Sequence, residues 1–135
     1  MFRILIAEDD SLSQRFVATI IEQMGHVPFV SPNGRHALDT LEAENRFDLL
    51  ITDMMMPSMD GTTLIHNIRQ DDRLNKMPII IMSAYVGMDS ISSMLNIGAT
   101  WFIPKPLERA MLEDYVTRAL KPTTINIPPT EKVQT

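Results

Sequence analysis

The hydrophobic positions of the chain fall into short runs separated by longer amphipathic segments. The runs are FRILIA (2–7), HVPFV (26–30), FDLLIT (47–52), MPIIIM (77–82) and TWFI (100–103). Three of them, around Ile4–Ile6, Leu49–Ile51 and Ile79–Ile81, are continuously apolar rather than alternating. Continuous β-branched runs are typical of strands that are covered on both faces, as in a parallel sheet.

The segments between these runs have helical spacing. In 11–24, Leu12, Phe16 and Ile20 recur at every fourth position and Gly25 follows, which predicts an amphipathic helix that ends there. The other segments with this spacing are 34–44, 62–69, 88–97 and 107–120. The repeated strand–helix alternation predicts an α/β fold, a (βα)5 doubly wound parallel sheet of five strands. The flavodoxin-like strand order 2-1-3-4-5 is a common solution.

Composition and charge narrow the class of protein. A length of 135 residues with 44% hydrophobic residues fits one soluble domain. Twelve basic and seventeen acidic residues give a net charge of −5 without a Lys/Arg cluster, which argues against nucleic-acid binding. The absence of cysteine excludes thiolate metal sites and suits a reducing, cytoplasmic location. We expect neither a membrane span nor a signal peptide.

The final segment, KPTTINIPPTEKVQT, differs from the rest of the chain. Pro122, Pro128 and Pro129 prevent a continuing helix, and no apolar periodicity remains. We therefore expect one domain over 1–121, followed by a linker or disordered tail over 122–135.

Polar residues follow the predicted strands at the edge where open parallel sheets form their sites. They comprise a group of acids, one hydroxyl and one lysine: Glu8, Asp9, Asp10, Asp53, Ser83 and Lys105. Taken singly, each has a structural explanation as a helix-terminal acid, a capping hydroxyl or a surface cation. Together, clustered carboxylates repel one another or recruit a cation, and all-oxygen donors favour Mg²⁺. Met55, two residues after Asp53, is placed to add a backbone carbonyl.

Four motifs carry a resemblance to a known family. They are AEDD after the first strand, TDMMMPSMDG after the third, MSA after the fourth and PKP after the fifth. In combination they resemble the receiver domain of two-component response regulators, the chemotaxis-regulator-like family, over residues 2 to about 120.

The resemblance implies roles for the acidic residues. Asp53 is then the phospho-acceptor, and Glu8, Asp9, Asp53 and the backbone carbonyl of Met55 hold a metal ion. The implied ion is Mg²⁺, with Mn²⁺ as the alternative. A carboxylate nucleophile can form an acyl phosphate, and phosphoryl transfer needs mainly positioning and charge neutralisation, which agrees with these residue types.

The resemblance also implies roles for the other strand-end residues. Ser83 is the switch hydroxyl and Lys105 contacts the phosphoryl group. Phe102 occupies the position of the family's rotating aromatic residue, but it lacks a tyrosine hydroxyl, so any switch there would act by packing alone. The peptide bond before Pro106 is expected to be cis, since cis bonds are essentially confined to proline.

The implied function is signal reception rather than enzymatic turnover of a substrate. A sensor histidine kinase or a histidine phosphotransfer protein donates the phosphoryl group. Phosphorylation then changes the surface of predicted helices 88–97 and 107–120, and an output domain or protein reads that change.

The alternative is a pseudo-receiver, a binding module that is not phosphorylated. A haloacid-dehalogenase-type phosphatase fits less well because Met54 and Met55 follow Asp53 where that family has a second aspartate. The acids at 8–10 would repel the phosphate of a flavin cofactor.

Overall fold

The described residues of the computed structural model, 1–44, 46–84, 92, 95–96 and 98–121, form a parallel sheet of five strands flanked by helices. The strands are β1 (Arg3–Ala7), β2 (Val27–Ser31), β3 (Leu49–Asp53), β4 (Ile79–Ser83) and β5 (Trp101–Pro104). Their spatial order is β2-β1-β3-β4-β5, and every neighbouring pair is parallel. The predicted fold class and strand order are confirmed.

The described helices are α1 (Ser11–Gln23), α2 (Gly34–Ala43), α3 (Gly61–Gln70) and a C-terminal helix (Arg109–Ala119). The side chain of the residue before each of the first three, Asp10, Asn33 or Asp60, accepts a backbone N–H from the first turn. These N-caps satisfy donors that the helix itself leaves unpaired. Most of the predicted helix 88–97 and all of segment 122–135 lie outside the described residues.

The sheet separates two hydrophobic clusters, which explains the continuously apolar strands. Leu5, Leu50 and Ile79 belong to the cluster that contains the buried residues of α2 and α3. Ile4, Leu49 and Ile80 belong to the other, with residues of α1 and the C-terminal helix. Alternate residues of each central strand therefore point to opposite faces of the sheet and pack against helices on both faces.

The apolar stripe predicted for α1 is only partly buried. Leu12 and Phe16, two of its members, are 74% and 41% exposed. The third member, Ile20, is buried together with the neighbouring Val17 and Ile21. The first half of this helix has more apolar residues than its contact with the sheet can cover, so spacing alone did not identify the inward face.

Within the described part of the chain, no helix combines the length and the apolar character required to cross a membrane.

Candidate functional site

Glu8 stands at the carboxyl end of β1 and is completely buried. Its backbone N–H donates to the Ser31 carbonyl at 3.0 Å. Its Oε2 accepts the Asp10 N–H at 3.0 Å. Burial raises the pKa of Glu8, because removal from water disfavours the charged form, although the hydrogen bonds from Asp10 and Lys105 oppose the shift. The carboxylate is therefore held rigidly in an environment that favours a cation beside it.

Asp53 is the last residue of β3 and only 8% exposed. Its Oδ1 accepts the N–H of Met54 at 2.8 Å. The start of α3 packs closely beneath it, because the Gly61 N–H donates to the Met54 carbonyl at 2.8 Å. A Cβ at Gly61 would lie 2.4 Å from the Asp53 carbonyl oxygen, so this approach requires glycine. The Asp-Gly turn thus fixes the end of β3 that carries the carboxylate.

Lys105 follows β5 and reaches across the strand ends to both acids. Its Nζ lies 2.9 Å from Glu8 Oε1 and 3.3 Å from Asp53 Oδ2. Burial alone would lower the pKa of Lys105, but the hydrogen bond to Glu8 and the charges of Asp53 and Glu8 outweigh it and raise the pKa. The Lys105–Pro106 peptide bond is cis.

Asp9 completes an acidic cluster with Glu8 and Asp53. One carboxylate oxygen from each of the three lies within 4.8 Å of the others. The ammonium group of Lys105 is paired with two of these three carboxylates, those of Glu8 and Asp53. Hard oxygen donors at this spacing fit a divalent cation such as Mg²⁺. Met55 lies in the following loop with its side chain 70% exposed.

Ser83 and Phe102 lie on β4 and β5, the two strands that follow β3 in the order of the sheet. Ser83 ends β4, is 2% exposed, and its hydroxyl donates to the sulfur of Met54 at 3.7 Å. The Lys105 N–H donates to the Ser83 carbonyl at 2.8 Å, which ties the lysine to the end of β4. Phe102 is half-buried in β5 and packs against the cluster on the α2 and α3 face. Its backbone pairs with Ile81, so it lies two residues further into the sheet than Ser83.

Sequence reasoning missed two features of this edge of the sheet. Gln14 of α1 donates its Nε2 hydrogen to the Glu8 carbonyl at 2.6 Å, a contact to backbone that has no signature in the sequence. The exposed Leu12 and Phe16 line a cavity of about 340 Å³ with Ser13, Lys105, Pro106 and Leu107. In the sequence, the only hint of this cavity was that α1 has more apolar positions than one buried face requires.

Comparisons with known proteins agree with this geometry. The family model described as the response regulator receiver domain matches residues 4–117. The chain is 29% identical to the chemotaxis protein CheY of Pseudomonas aeruginosa over 117 residues, covering 86% of this chain and 94% of that protein.

Two further comparisons extend the match. The chain is 31% identical to the transcriptional regulatory protein CrdR of Helicobacter pylori, covering 94% of this chain but only 59% of that protein. The solved receiver domain of a histidine kinase from Syntrophus aciditrophicus is 30% identical with a TM-score of 0.82, covering 94% of this chain and 98% of that one. The family match, the strand order and the strand-end motifs agree, and the chain belongs to the response regulator receiver domain family of two-component systems.

Proposed function

We propose that Asp53 accepts a phosphoryl group in a Mg²⁺-dependent reaction and that the protein relays this signal to a partner. The observation that carries the proposal is the position of Lys105 Nζ, which lies 2.9 Å from a carboxylate oxygen of Glu8 and 3.3 Å from one of Asp53 at the same edge of the sheet. A nucleophilic carboxylate, an acidic pair and a fixed ammonium are the parts that phosphoryl transfer needs.

The proposed step is an in-line displacement at phosphorus. A carboxylate oxygen of Asp53 forms a bond to the phosphorus, while the bond from phosphorus to a histidine nitrogen of the donor breaks. The electron pair stays on the leaving nitrogen, which takes a proton from solvent. The Met54 N–H orients the attacking carboxylate through its 2.8 Å bond to Oδ1. Lys105 stabilises the negative charge that spreads over the transferred oxygens.

The proposed metal ligands are the carboxylates of Glu8, Asp9 and Asp53 and the backbone carbonyl of Met55. When bound, Mg²⁺ would neutralise the acidic cluster and the incoming phosphoryl oxygens. Mn²⁺ prefers the same oxygen donors and is the proposed substitute. The 4.8 Å limit on the separations of the three carboxylate oxygens supports this donor set.

The proposed response to phosphorylation begins at Ser83. An acyl phosphate adds strong acceptor oxygens, which compete with the weak Met54 sulfur for the Ser83 hydroxyl. Movement of Ser83 would displace the end of β4 and, through the neighbouring strand β5, Phe102. Phe102 has no hydroxyl, so it would respond by a change in its packing. We propose that the partner reads the resulting change on the surface of 88–97 and the C-terminal helix.

The phosphoryl donor is proposed to be a sensor histidine kinase or a histidine phosphotransfer protein. Leu12 and Phe16 support this part, because an exposed apolar patch beside Lys105 and Pro106 suits a protein donor that docks over the site. The absence of cysteine agrees with a cytoplasmic location for this exchange. We propose residues 1–121 as the receiver and 122–135 as a linker to an output domain or a free tail.

The deciding experiment uses a small phosphodonor, because it requires no knowledge of the partner. The chain is incubated with acetyl phosphate and Mg²⁺, and intact mass is measured. We expect one added phosphoryl group in the parent and none in Asp53→Asn, whereas Asp72→Asn, which changes a surface acid, should be phosphorylated normally. Omission of Mg²⁺ should abolish the gain and Mn²⁺ should restore it. A parent chain that gains no mass would favour the pseudo-receiver alternative.

A further inference from the structure

A second cavity lies at the opposite edge of the sheet from Asp53. It has a volume of about 500 Å³ and opens among the amino ends of the strands, the end of α3 and the end of the C-terminal helix. Strands of five residues separate the two edges by roughly 15 Å. Volumes of roughly 300 to 1,000 Å³ are usual for small-molecule sites. The cavity plays no part in the phosphorylation chemistry proposed above.

The charge of this cavity is opposite to that of the whole chain. Four of the twelve basic residues line it, namely Arg69, Lys76, Arg118 and Lys121, against one acid, Asp48. That acid already accepts the Arg3 backbone N–H at 2.8 Å. Arg118 is paired with an exposed carboxylate outside the cavity. Among the residues that the structure describes, the other three basic side chains have no carboxylate within 4.0 Å.

Arg69 fixes one positive charge in the cavity wall. Its guanidinium donates to the Gly98, Asn75 and Met77 carbonyls at distances between 2.7 and 3.1 Å. Gly98 makes room for it, because a Cβ there would lie 2.8 Å from the arginine Cγ. Burial lowers the pKa of Arg69, because removal from water disfavours the charged guanidinium.

Trp101 gives the cavity an aromatic wall. Its ring lies 5.3 Å from that of Tyr115, centroid to centroid, and the guanidinium of Arg118 lies 6.0 Å from its centroid. The indole Nε1 is buried and has no hydrogen-bond partner in the described part of the chain. Because this nitrogen is inaccessible, Trp101 offers a ligand in the cavity its ring and not a hydrogen bond.

We propose that this cavity binds a small organic anion, with a carboxylate or phosphate head between Lys76 and Lys121 and an apolar body against Trp101. The two lysines supply positive charge that no described carboxylate neutralises. Arg69 adds a third positive charge, which its hydrogen bonds hold in place. The aromatic wall excludes water from the body of the ligand and strengthens the attraction of the head to the rim.

Trp101 is the only tryptophan of the chain, so its indole N–H gives one signal in a nitrogen–proton correlation spectrum. The full chain is titrated with benzoate and with phenyl phosphate, which separate the two head groups, and with benzyl alcohol as the neutral analogue. We expect a saturable shift of the indole signal with at least one anion and none with the alcohol. The double variant Lys76→Gln, Lys121→Gln should bind that anion roughly tenfold more weakly.

A matched control removes two basic residues elsewhere. Arg15→Gln with Arg46→Gln makes the same change in net charge outside the cavity, and it should leave the affinity within about twofold. Equal weakening in both double variants, or a shift as large with benzyl alcohol, would overturn the proposal. So would a shift of the ligand-free indole signal in Ile125→Ser, Ile127→Ser, because residues 122–135 would then occupy the cavity.

Discussion

The ammonium group of Lys105 lies 2.9 Å from Oε1 of Glu8, a carboxylate that is completely buried. The same ammonium lies 3.3 Å from Asp53. Lysine therefore occupies the acids that the proposed metal ion also needs, and it competes with that ion in the resting protein. Its two effects on the reaction should have opposite signs.

Lys105→Met should separate these effects. We expect Mg²⁺ to bind a few-fold more tightly, because the competing cation is gone. Phosphorylation by acetyl phosphate should slow by about a hundredfold, because the transferred oxygens lose a fixed positive charge. Calorimetry and time-resolved intact mass measure the two quantities, with Lys76→Met as the control for removal of a distant lysine. Loss of metal affinity in Lys105→Met would contradict the competition.

Asp9→Ala tests the exposed member of the acidic cluster. Removal of one ligand should weaken Mg²⁺ binding by at least about tenfold. The metal-free variant should be slightly more stable, because fewer carboxylates then repel one another. Calorimetry and urea unfolding check the two expectations, and Asp72→Ala is the control with the same change in net charge. Equal Mg²⁺ affinity in Asp9→Ala and the parent would exclude Asp9 as a ligand.

The exposed patch on α1 should distinguish protein donors from small ones. Leu12→Ser with Phe16→Ser should reduce phosphotransfer from a cognate histidine phosphotransfer protein by about tenfold or more, because apolar contact with the donor is lost. The rate with acetyl phosphate should stay within about twofold, since neither side chain belongs to the acidic cluster. Equal losses with both donors would mean that the substitutions disturb the site rather than docking.

The N-cap of α3 should give a pH-dependent contribution to stability. Hydrogen bonds from Thr63 lower the pKa of Asp60 below its ordinary 3.8. Its contribution is therefore present above about pH 3.8 and is lost as the pH falls through the lowered value. Asp60→Ala should reduce the free energy of unfolding by about 1 kcal/mol at pH 7, and by less in acid.

Asn33 provides the matched control, because its side chain caps α2 in the same way but does not titrate. Asn33→Ala should cost a similar amount at every pH at which the protein folds. Urea unfolding of both variants between pH 7 and the acid limit makes the comparison. An Asp60→Ala deficit that stayed constant with pH would show that the capping carboxylate is not the titrating group.

Gly61→Ala should reduce both the stability of the protein and the rate of Asp53 phosphorylation. Its new Cβ would lie 2.4 Å from the Asp53 carbonyl, so the backbone must move and about 2 kcal/mol of stability should be lost. Phosphorylation should slow with it. Gly25→Ala is the control, because nothing lies within 4 Å of that Cβ and only the φ of +91° opposes the change. Normal phosphorylation in Gly61→Ala would show that Asp53 tolerates this displacement.

The strands were predictable because continuous β-branched runs have few alternatives to a two-sided buried sheet. The predicted strand limits differ from the observed ones by at most two residues; β3 and β4 begin two residues late because Phe47 and Met77 are buried just before them. The inward face of α1 was not predictable, because Leu12 and Phe16 fit the helical period as well as Val17 does. The Gln14 contact and the Arg69 cavity depend on backbone carbonyls that only the folded chain brings together.

The lengths of the strands have an electrical consequence. Strands β1 to β4 are five residues long, which places the acidic edge and the basic edge of the sheet roughly 15 Å apart. In physiological salt, charges in solvent are screened over about 8 Å. For ions that approach through solvent, the two edges therefore lie roughly two screening lengths apart, so that a cation drawn to the acidic edge meets little opposition from the basic one.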